Sequence, residues 1–310
     1  MKKLNIGIIG IGHLGSRHLK VYSELSEKVN IIGICDSQKE RTLKLAEHYK
    51  VDYYEDYTEL ADKVDAVNIC VPTESHYDVG KFFLEKGIHC LIEKPISTTV
   101  EQAEELVAIA EKTKAIFQVG HIERFNSAFE SIKRLTHNPL FIECHRLNHF
   151  PNRSLDIGVV MDLMIHDIDI VLGAVPSKIT DIQATGINVL TPLDDIASVR
   201  LTFENGCVCN LTASRISDEV MRKIRIFQKD SYISLDYCKQ EAFIYKKSDK
   251  TILKHSLPIE KHESLKKELE HFLTCVNTNT KPLVSGVEGK EALKIALQIS
   301  QIIWDKQKNI

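Results

Sequence analysis

The 310-residue chain has no apolar run approaching the ~20 residues that span a bilayer, so no membrane-crossing helix is expected. It has no block of Lys and Arg, and a net charge of −3 argues against a surface built to track nucleic acid. Its eight cysteines (35, 70, 90, 144, 207, 209, 238 and 275) lack the spacing of a disulfide framework. Those inside apolar runs read as small core hydrophobes of a cytoplasmic protein. Cys207-x-Cys209 has no second pair and one intervening residue, so it reads as strand packing, and no metal site is expected. There is no repeat, low-complexity tract or long linker. Lys2 and Lys3 ahead of an apolar run mimic a signal peptide, but the early glycines and the return to charge at Arg17 and Lys20 argue against one. What remains is an ordinary globular composition, 43% hydrophobic and 27% charged. The length suits about two domains.

Residues 3–9 form a short apolar run typical of a buried parallel strand. It ends in Gly10-Ile11-Gly12-His13-Leu14-Gly15, and a helical pattern follows from 14 to about 25. G-x-G-x-x-G carries weight only in this strand-to-helix context. Gly10 allows the tight turn, Gly12 lets a pyrophosphate approach the backbone, and Gly15 permits close helix–strand packing. The anion then rests on the helix N-terminus at His13 and Leu14. The next strand, 29–35, ends at Asp36, 21 residues after Gly15. A carboxylate there accepts hydrogen bonds from both ribose hydroxyls of an adenosine and repels a 2′-phosphate, which favours NAD. Ser37, Lys39 and Arg41 stand close enough to hold such a phosphate, which leaves NADP open. A role for Asp36 as a mere cap of helix 37–49 does not explain its spacing from the glycines.

Strands at 66–71, 88–92 and 115–119 alternate with helices ending near 85 and spanning 99–112, which implies βαβ units in one parallel sheet. Ligands of such sheets bind beyond the carboxyl ends of the strands. Val71, Pro72, Thr73, His76, Glu93, Lys94 and His121 therefore join the glycine turn, Asp36 and Arg41 as cofactor-binding candidates. Lys94, whose exit is fixed by Pro95, can donate a hydrogen bond to a substrate oxygen. For an isolated Lys-Pro, a solvated lysine is the simpler reading.

Residues 159–171 read as an apolar helix with polar residues in the wrong places. At ~3.6 residues per turn, Asp162, His166 and Asp169 share one stripe. The surrounding positions are greasy nearly all round, which predicts burial. A buried carboxylate and imidazole need partners or a job. An internal Asp–His pair is the structural alternative; beside the glycine turn, Asp36 and Lys94, catalysis is the stronger reading. An imidazole with an ordinary pKa of about 6.5 is suited to taking a hydroxyl proton, and Asp162 can orient it. Asp169 is left outside the active site as a capping or ion-pairing residue.

Gly10 to Gly15, Glu93-Lys94-Pro95, Val119-Gly120-His121-Ile122-Glu123-Arg124-Phe125-Asn126 and Asp162-x-x-x-His166 together resemble the Gfo/Idh/MocA oxidoreductase family, over essentially the whole chain. The resemblance implies an α/β fold: a dinucleotide-binding Rossmann domain with a parallel sheet at 1–121, then an α/β domain at 122–310. That second domain would bind substrate and carry a large, open, mostly antiparallel sheet whose exposed face makes a homodimer or homotetramer. It also implies an NAD(P)-dependent dehydrogenase acting on CH–OH groups of a sugar or cyclitol, with Lys94, Asp162 and His166 at the family's catalytic positions. Residues 153–169 further resemble the UDP-N-acetylglucosamine 3-dehydrogenase subgroup. That group oxidises the 3-hydroxyl to a ketone, which a partner aminotransferase converts to the 3-amino sugar of some lipid A molecules.

The second half begins with a helix at 124–136 and a strand at 140–150 that is part-polar on both faces, as suits the border of a wet cleft. A nucleotide-sugar substrate needs cations for its diphosphate. Arg124, Arg146 and Arg153, with Asn126 among them, are the substrate-binding candidates, and ion pairing is an equal alternative for each arginine. Strands near 179–189, 197–203, 207–214, 223–228, 231–236 and 242–246 read as an antiparallel meander. Amphipathic helices at 263–276 and 289–305 close the chain. Three other functions fit the same residues: a free-sugar or cyclitol dehydrogenase without a diphosphate site, an NADPH-dependent reductase, and a non-catalytic NAD-binding sensor.

Overall fold

The computed structural model describes residues 2–150 and 157–308. The chain divides into two compact units, one of Met1–Ile122 with Glu263–Lys290, the other of Glu123–His262 with Glu291–Ile310. Among the described residues no helix is long and apolar enough to cross a membrane.

The first unit holds a parallel sheet of β1 (Leu4–Ile9), β2 (Val29–Cys35), β3 (Asp52–Tyr54), β4 (Ala66–Ile69), β5 (His89–Glu93) and β6 (Phe117–Gly120), in the order β3-β2-β1-β4-β5-β6. Apart from a half-buried Asn5, β1 is apolar and buried on both faces, as suits a sheet covered by helices on both sides. The links are α1 (His13–Glu24), α2 (Lys39–Tyr49), α3 (Thr73–Glu85) and α4 (Val100–Thr113). Strand order reverses between β1 and β4, which opens a crevice at the carboxyl ends of the strands. β3 has three residues, too few to register as alternation in the sequence.

Two histidines brace this unit. His76, on α3, lies with Nδ1 2.7 Å from the Pro95 carbonyl oxygen and Nε2 2.9 Å from that of Val71, so it ties together two strand-end loops. His89, at the start of β5, accepts the Ile116 N–H on Nδ1 at 2.8 Å.

Among the described residues the second unit holds eight strands in the order β14-β13-β12-β11-β7-β10-β9-β8. They are β7 (Phe141–Leu147), β8 (Ile179–Ile187), β9 (Ile196–Phe203), β10 (Val208–Ser214), β11 (Met221–Phe227), β12 (Ser231–Asp236), β13 (Glu241–Ser248) and β14 (Thr251–Ser256). The sheet is mostly antiparallel, but it is not the uninterrupted meander expected. β7 pairs parallel with β10 and antiparallel with β11, so it separates two strands that are consecutive in the chain. β14 is exposed along its whole length and so gives no alternation to read. Ile142, Cys144, Arg146, Cys209, Leu211 and Ala213 are buried, while Glu143, His145, Asn210 and Thr212 between them are only half-buried. One face of the sheet therefore meets the core. α5 (Ser127–Lys133) and α6 (Ile165–Ala174) contribute Ala128, Phe129, Ile165 and Ile168 to it.

α7 (Ser264–Thr278) and α8 (Gly286–Gln307) end the chain. α7 buries Leu265, Leu269, Phe272 and Leu273 in the cluster that contains Ile6, Ile8, Leu19 and Tyr22. Residues 263–290 accordingly belong to the first unit rather than to a continuous domain at 122–310, and α8 starts in one unit and ends in the other.

Burial pushes the pKa of both His76 and His89 below the ordinary histidine value. The unfolded chain therefore takes up protons near pH 6.5 that the folded chain takes up only at lower pH. Stability is full above that value and falls as pH drops towards the depressed pKa values, with a slope of at most about 1.4 kcal/mol per pH unit for each histidine. Denaturant unfolding at pH 7.5 and 5.5 checks this: the wild type loses stability at pH 5.5, and His89→Gln, which keeps an acceptor for Ile116, loses less.

Candidate active site

The glycine turn has the three-part geometry its spacing implies. Gly10 has φ +84, and a Cβ there would lie 2.6 Å from the backbone of Cys70 and Val71, so only glycine fits. A Cβ on Gly15 would lie 1.8 Å from the Gly10 carbonyl oxygen, and a Cβ on Gly12 would meet nothing within 4 Å. Gly12 thus presents bare backbone to open space at the start of α1, whose cap has no side-chain hydrogen bond. The first amides of α1 point where an anion gains most from them.

This turn lines a cleft of about 830 Å³ together with His13, Ser16, Gln38, Lys39 and Arg41. Asp36 sits at its edge, with Oδ2 accepting from the Ile11 N–H at 2.6 Å and from Arg41 at 2.9 Å, and Oδ1 accepting from the Gln38 N–H at 2.8 Å. The carboxylate is mostly covered and the guanidinium partly open, at 10% and 42% exposure. The cleft suits a dinucleotide: an open glycine cradle, a helix N-terminus and an acidic group at the end of β2.

Several candidates at the other strand ends turn inward. His76 and His121 are buried at 1% exposure, His76 as the brace described above. Glu93 is buried and accepts from His18 Nε2 at 3.0 Å. Asn68 donates to His18 Nδ1 at 2.9 Å, which assigns the His18 proton to Nε2, and Tyr22 donates to Asn68 at 2.9 Å. Glu93 is thus the end of an internal relay, and its placement within the first unit is structural. Val71, Pro72 and Thr73 form the turn into α3 and remain partly or fully exposed, and Lys94 is half-buried after β5.

In the second unit, residues 160–164 form a π turn that leads into α6. The Ile165 N–H reaches the Val160 carbonyl, and the Asp162 N–H reaches that of Gly158 at 3.0 Å. The expected single stripe is broken. Four residues come close to a full turn in either helix type, so Asp162 and His166 keep a common side. The π turn rotates Asp169 further from Asp162, while His166 and Asp169, both within α6, keep ordinary α-helical spacing. Asp162 and His166 are half-buried, not sealed in the core as a helix greasy all round would require, whereas Asp167 and Asp169 are buried.

The buried carboxylates account for two arginines. Arg124 donates through Nε to Asp169 Oδ2 at 2.6 Å, and through Nη2 to Oδ1 at 2.9 Å and to the Asp169 carbonyl at 2.6 Å. Arg146 grips Asp167 through Nε and Nη2 at 2.9 and 2.8 Å and reaches Glu123 at 2.8 Å. Burial opposes the charge on Arg146, and the two carboxylates outweigh it, so the guanidinium stays protonated. The expectation that Arg124 and Arg146 hold a diphosphate is therefore corrected: both are buried and satisfied by carboxylates of their own unit. Asn126 is likewise structural, since it caps α5 by accepting the Ala128 N–H at 3.0 Å. The polar residue on the inner face of β7 is the Arg146 ion network and not the lining of a wet cleft. Arg153 lies outside the described residues.

With the geometry of both units in view, the comparisons with known proteins agree with it. Residues 4–121 match the Gfo/Idh/MocA oxidoreductase family's NAD-binding Rossmann fold, and residues 118–231 match its C-terminal domain. The chain belongs to the Gfo/Idh/MocA family and is an NAD-binding oxidoreductase. Within that family it is 34% identical to UDP-N-acetylglucosamine 3-dehydrogenase from Acidithiobacillus ferrooxidans, over 96% of this chain and 97% of that one. The solved structure of that enzyme superposes with a TM-score of 0.93 over 98% of each chain. Similarity to scyllo-inositol 2-dehydrogenase (NAD(+)) from Bacillus subtilis is weaker, at 22% identity over 95% of this chain and 92% of the relative.

The Asp36–Arg41 pair makes a prediction. Asp36→Ala removes the carboxylate that opposes a 2′-phosphate and releases Arg41 to bind one. The ratio of NADP to NAD dissociation constants, measured by fluorescence titration, should fall about tenfold; an unchanged ratio would mean that Asp36 takes no part in the discrimination.

Proposed function

We propose that the protein oxidises the 3-hydroxyl of UDP-N-acetylglucosamine, or of a close UDP-N-acetyl-hexosamine, to the 3-keto sugar. The observation that carries this is the similarity to a UDP-N-acetylglucosamine 3-dehydrogenase over nearly the full length of both chains. It is joined by a half-buried Asp162 and His166 on a π turn and the helix after it, a setting in which such turns often mark functional sites. NAD, when bound, takes up the hydride from the carbinol carbon. Gly10, Gly12, His13, Leu14 and Asp36 hold the dinucleotide, with Val71 to Thr73 at the neighbouring strand ends. His166 accepts the hydroxyl proton, Asp162 orients the imidazole and favours its charged form, and Lys94 donates a hydrogen bond that steadies negative charge on the same oxygen.

The ketone is the carbonyl substrate an aminotransferase requires, so the reaction fits the step before a transamination, as in the amino sugars of lipid A. A cytoplasmic setting follows from the nucleotide-sugar substrate. The open face of the large sheet carries a run of half-exposed rings in which Phe227 stacks on Tyr232 and Tyr232 on Tyr245, with centroids 5.2 and 4.1 Å apart. This is a surface suited to a homodimer or homotetramer.

One observation favours a second reading. With Arg124 and Arg146 enclosed in ion pairs, two of the three cations expected to meet a diphosphate do not serve it. A free-sugar or cyclitol dehydrogenase needs no such cations. Incubation with NAD, either UDP-N-acetylglucosamine or scyllo-inositol, and hydroxylamine to trap the ketone separates the two readings by the absorbance of reduced nicotinamide. Reduction with the sugar nucleotide is expected; reduction with the inositol alone would establish the second reading. His166→Gln and Lys94→Met should each lower kcat by about a hundredfold or more with NAD still bound, and wild-type turnover in both would remove their assigned roles.

A further inference from the structure

The segment between β8 and β9 is built around two adjacent carboxylates whose partners all lie in the second unit. Asp195 is fully buried. Its Oδ2 accepts the N–H groups of Val189, Leu190 and Thr191 at 2.8, 2.6 and 2.9 Å, and its Oδ1 accepts from Arg215 at 2.8 Å. Burial works against the Asp195 charge, and these donors outweigh it and hold its carboxyl well below the usual range. Arg215, equally buried, also donates to the Ile157 carbonyl at 2.7 Å. The pair thus holds the loop and the residue entering the π turn in one piece.

Asp194, carried on that piece, faces the start of the turn. Its main-chain oxygen accepts the Val159 N–H at 2.8 Å, and its Oδ2 accepts the Val160 N–H at 3.1 Å. These are among the first amides of the helical segment, which lack acceptors within the segment itself. Gly158 leaves the necessary room, because a Cβ there would lie 2.2 Å from Asp194 Oδ1. The Gly158 carbonyl in turn holds the N–H of Asp162 at 3.0 Å. From Asp195 and Arg215 to Asp162 the connection is continuous.

We propose that Asp194 is a positioning residue for the oxidation: held by Asp195 and Arg215, it fixes the start of the π turn and so sets the placement of Asp162 and His166. This rests on the assignment of proton transfer to Asp162 and His166 made above. Neither Asp194 nor its partners stood out in the sequence.

The test compares Asp194→Ala, Asp194→Asn, Gly158→Ala, His166→Gln and the double variant Asp194→Ala/His166→Gln. Turnover is followed with NAD and UDP-N-acetylglucosamine, or with scyllo-inositol if that is the sugar oxidised, alongside NAD affinity and thermal midpoint. Asp194→Ala and Gly158→Ala should lower kcat about tenfold or more, since small displacements of reacting groups are costly, and leave NAD affinity unchanged. Asp194→Asn keeps an oxygen for Val160 and should recover most of the loss. The double variant should be no slower than His166→Gln, as expected of groups acting through one step. If Asp194→Ala and Gly158→Ala melt earlier but turn over at the parental rate while folded, Asp194 is only a structural cap and the proposal is overturned. A slow His166→Gln beside an unaffected Asp194→Ala overturns the proposal alone; a His166→Gln of parental rate removes the assignment beneath it, and the proposal falls with it.

Discussion

The second unit depends on the rule that a buried charge must be paired. Among the described residues three guanidiniums lie inside it, and each has a carboxylate: Arg124 with Asp169, Arg146 with Asp167 and Glu123, and Arg215 with Asp195. Such pairs add little net stability compared with a hydrophobic core, but removing one member costs about 3–5 kcal/mol because the other is left buried and uncompensated. They act as locks on geometry. The first two fix α6 against β7 and against residues 123–124, and the third ties the loop before β9 to the start of the π turn. The helical segment that begins at Val159 is therefore held at both ends.

That arrangement sorts the acidic residues of one short segment into two kinds. Asp167 and Asp169 face inward and neutralise arginines. Asp162 and His166, by contrast, are only half-buried.

Much of this was legible in the chain. Gly10 to Gly15 could be read because each glycine answers a local need: a positive φ, an open approach and a tight contact. Asp36 could be read from its distance to those glycines, and the parallel sheet from the alternation of strand and helix. What escaped depends on partners far apart in sequence. Arg124 and Arg146 offered cations of the right kind for a diphosphate, and only the fold discloses Asp169 and Asp167 beside them. The same holds for His76, Glu93 and Asn126, whose hydrogen bonds are internal. β7 could not be placed between β10 and β11 from local pattern, because pairing order leaves no periodic signature. The π turn is a change of one residue in a helical register, below the resolution of an apolar stripe. In the sequence Asp169 reads as a capping or ion-pairing residue, and in the fold it pairs with Arg124.

We infer that this segment carries structural and chemical carboxylates side by side. This is tested most directly by measuring kcat and thermal midpoint together for Asp162→Asn and Asp169→Asn. Asp169→Asn should lower the midpoint by several degrees and leave turnover of the folded enzyme near the parental value, while Asp162→Asn should leave the midpoint and lower kcat. A loss of turnover in Asp169→Asn without a loss of stability, or an Asp162→Asn that is destabilised but fully active, would contradict it.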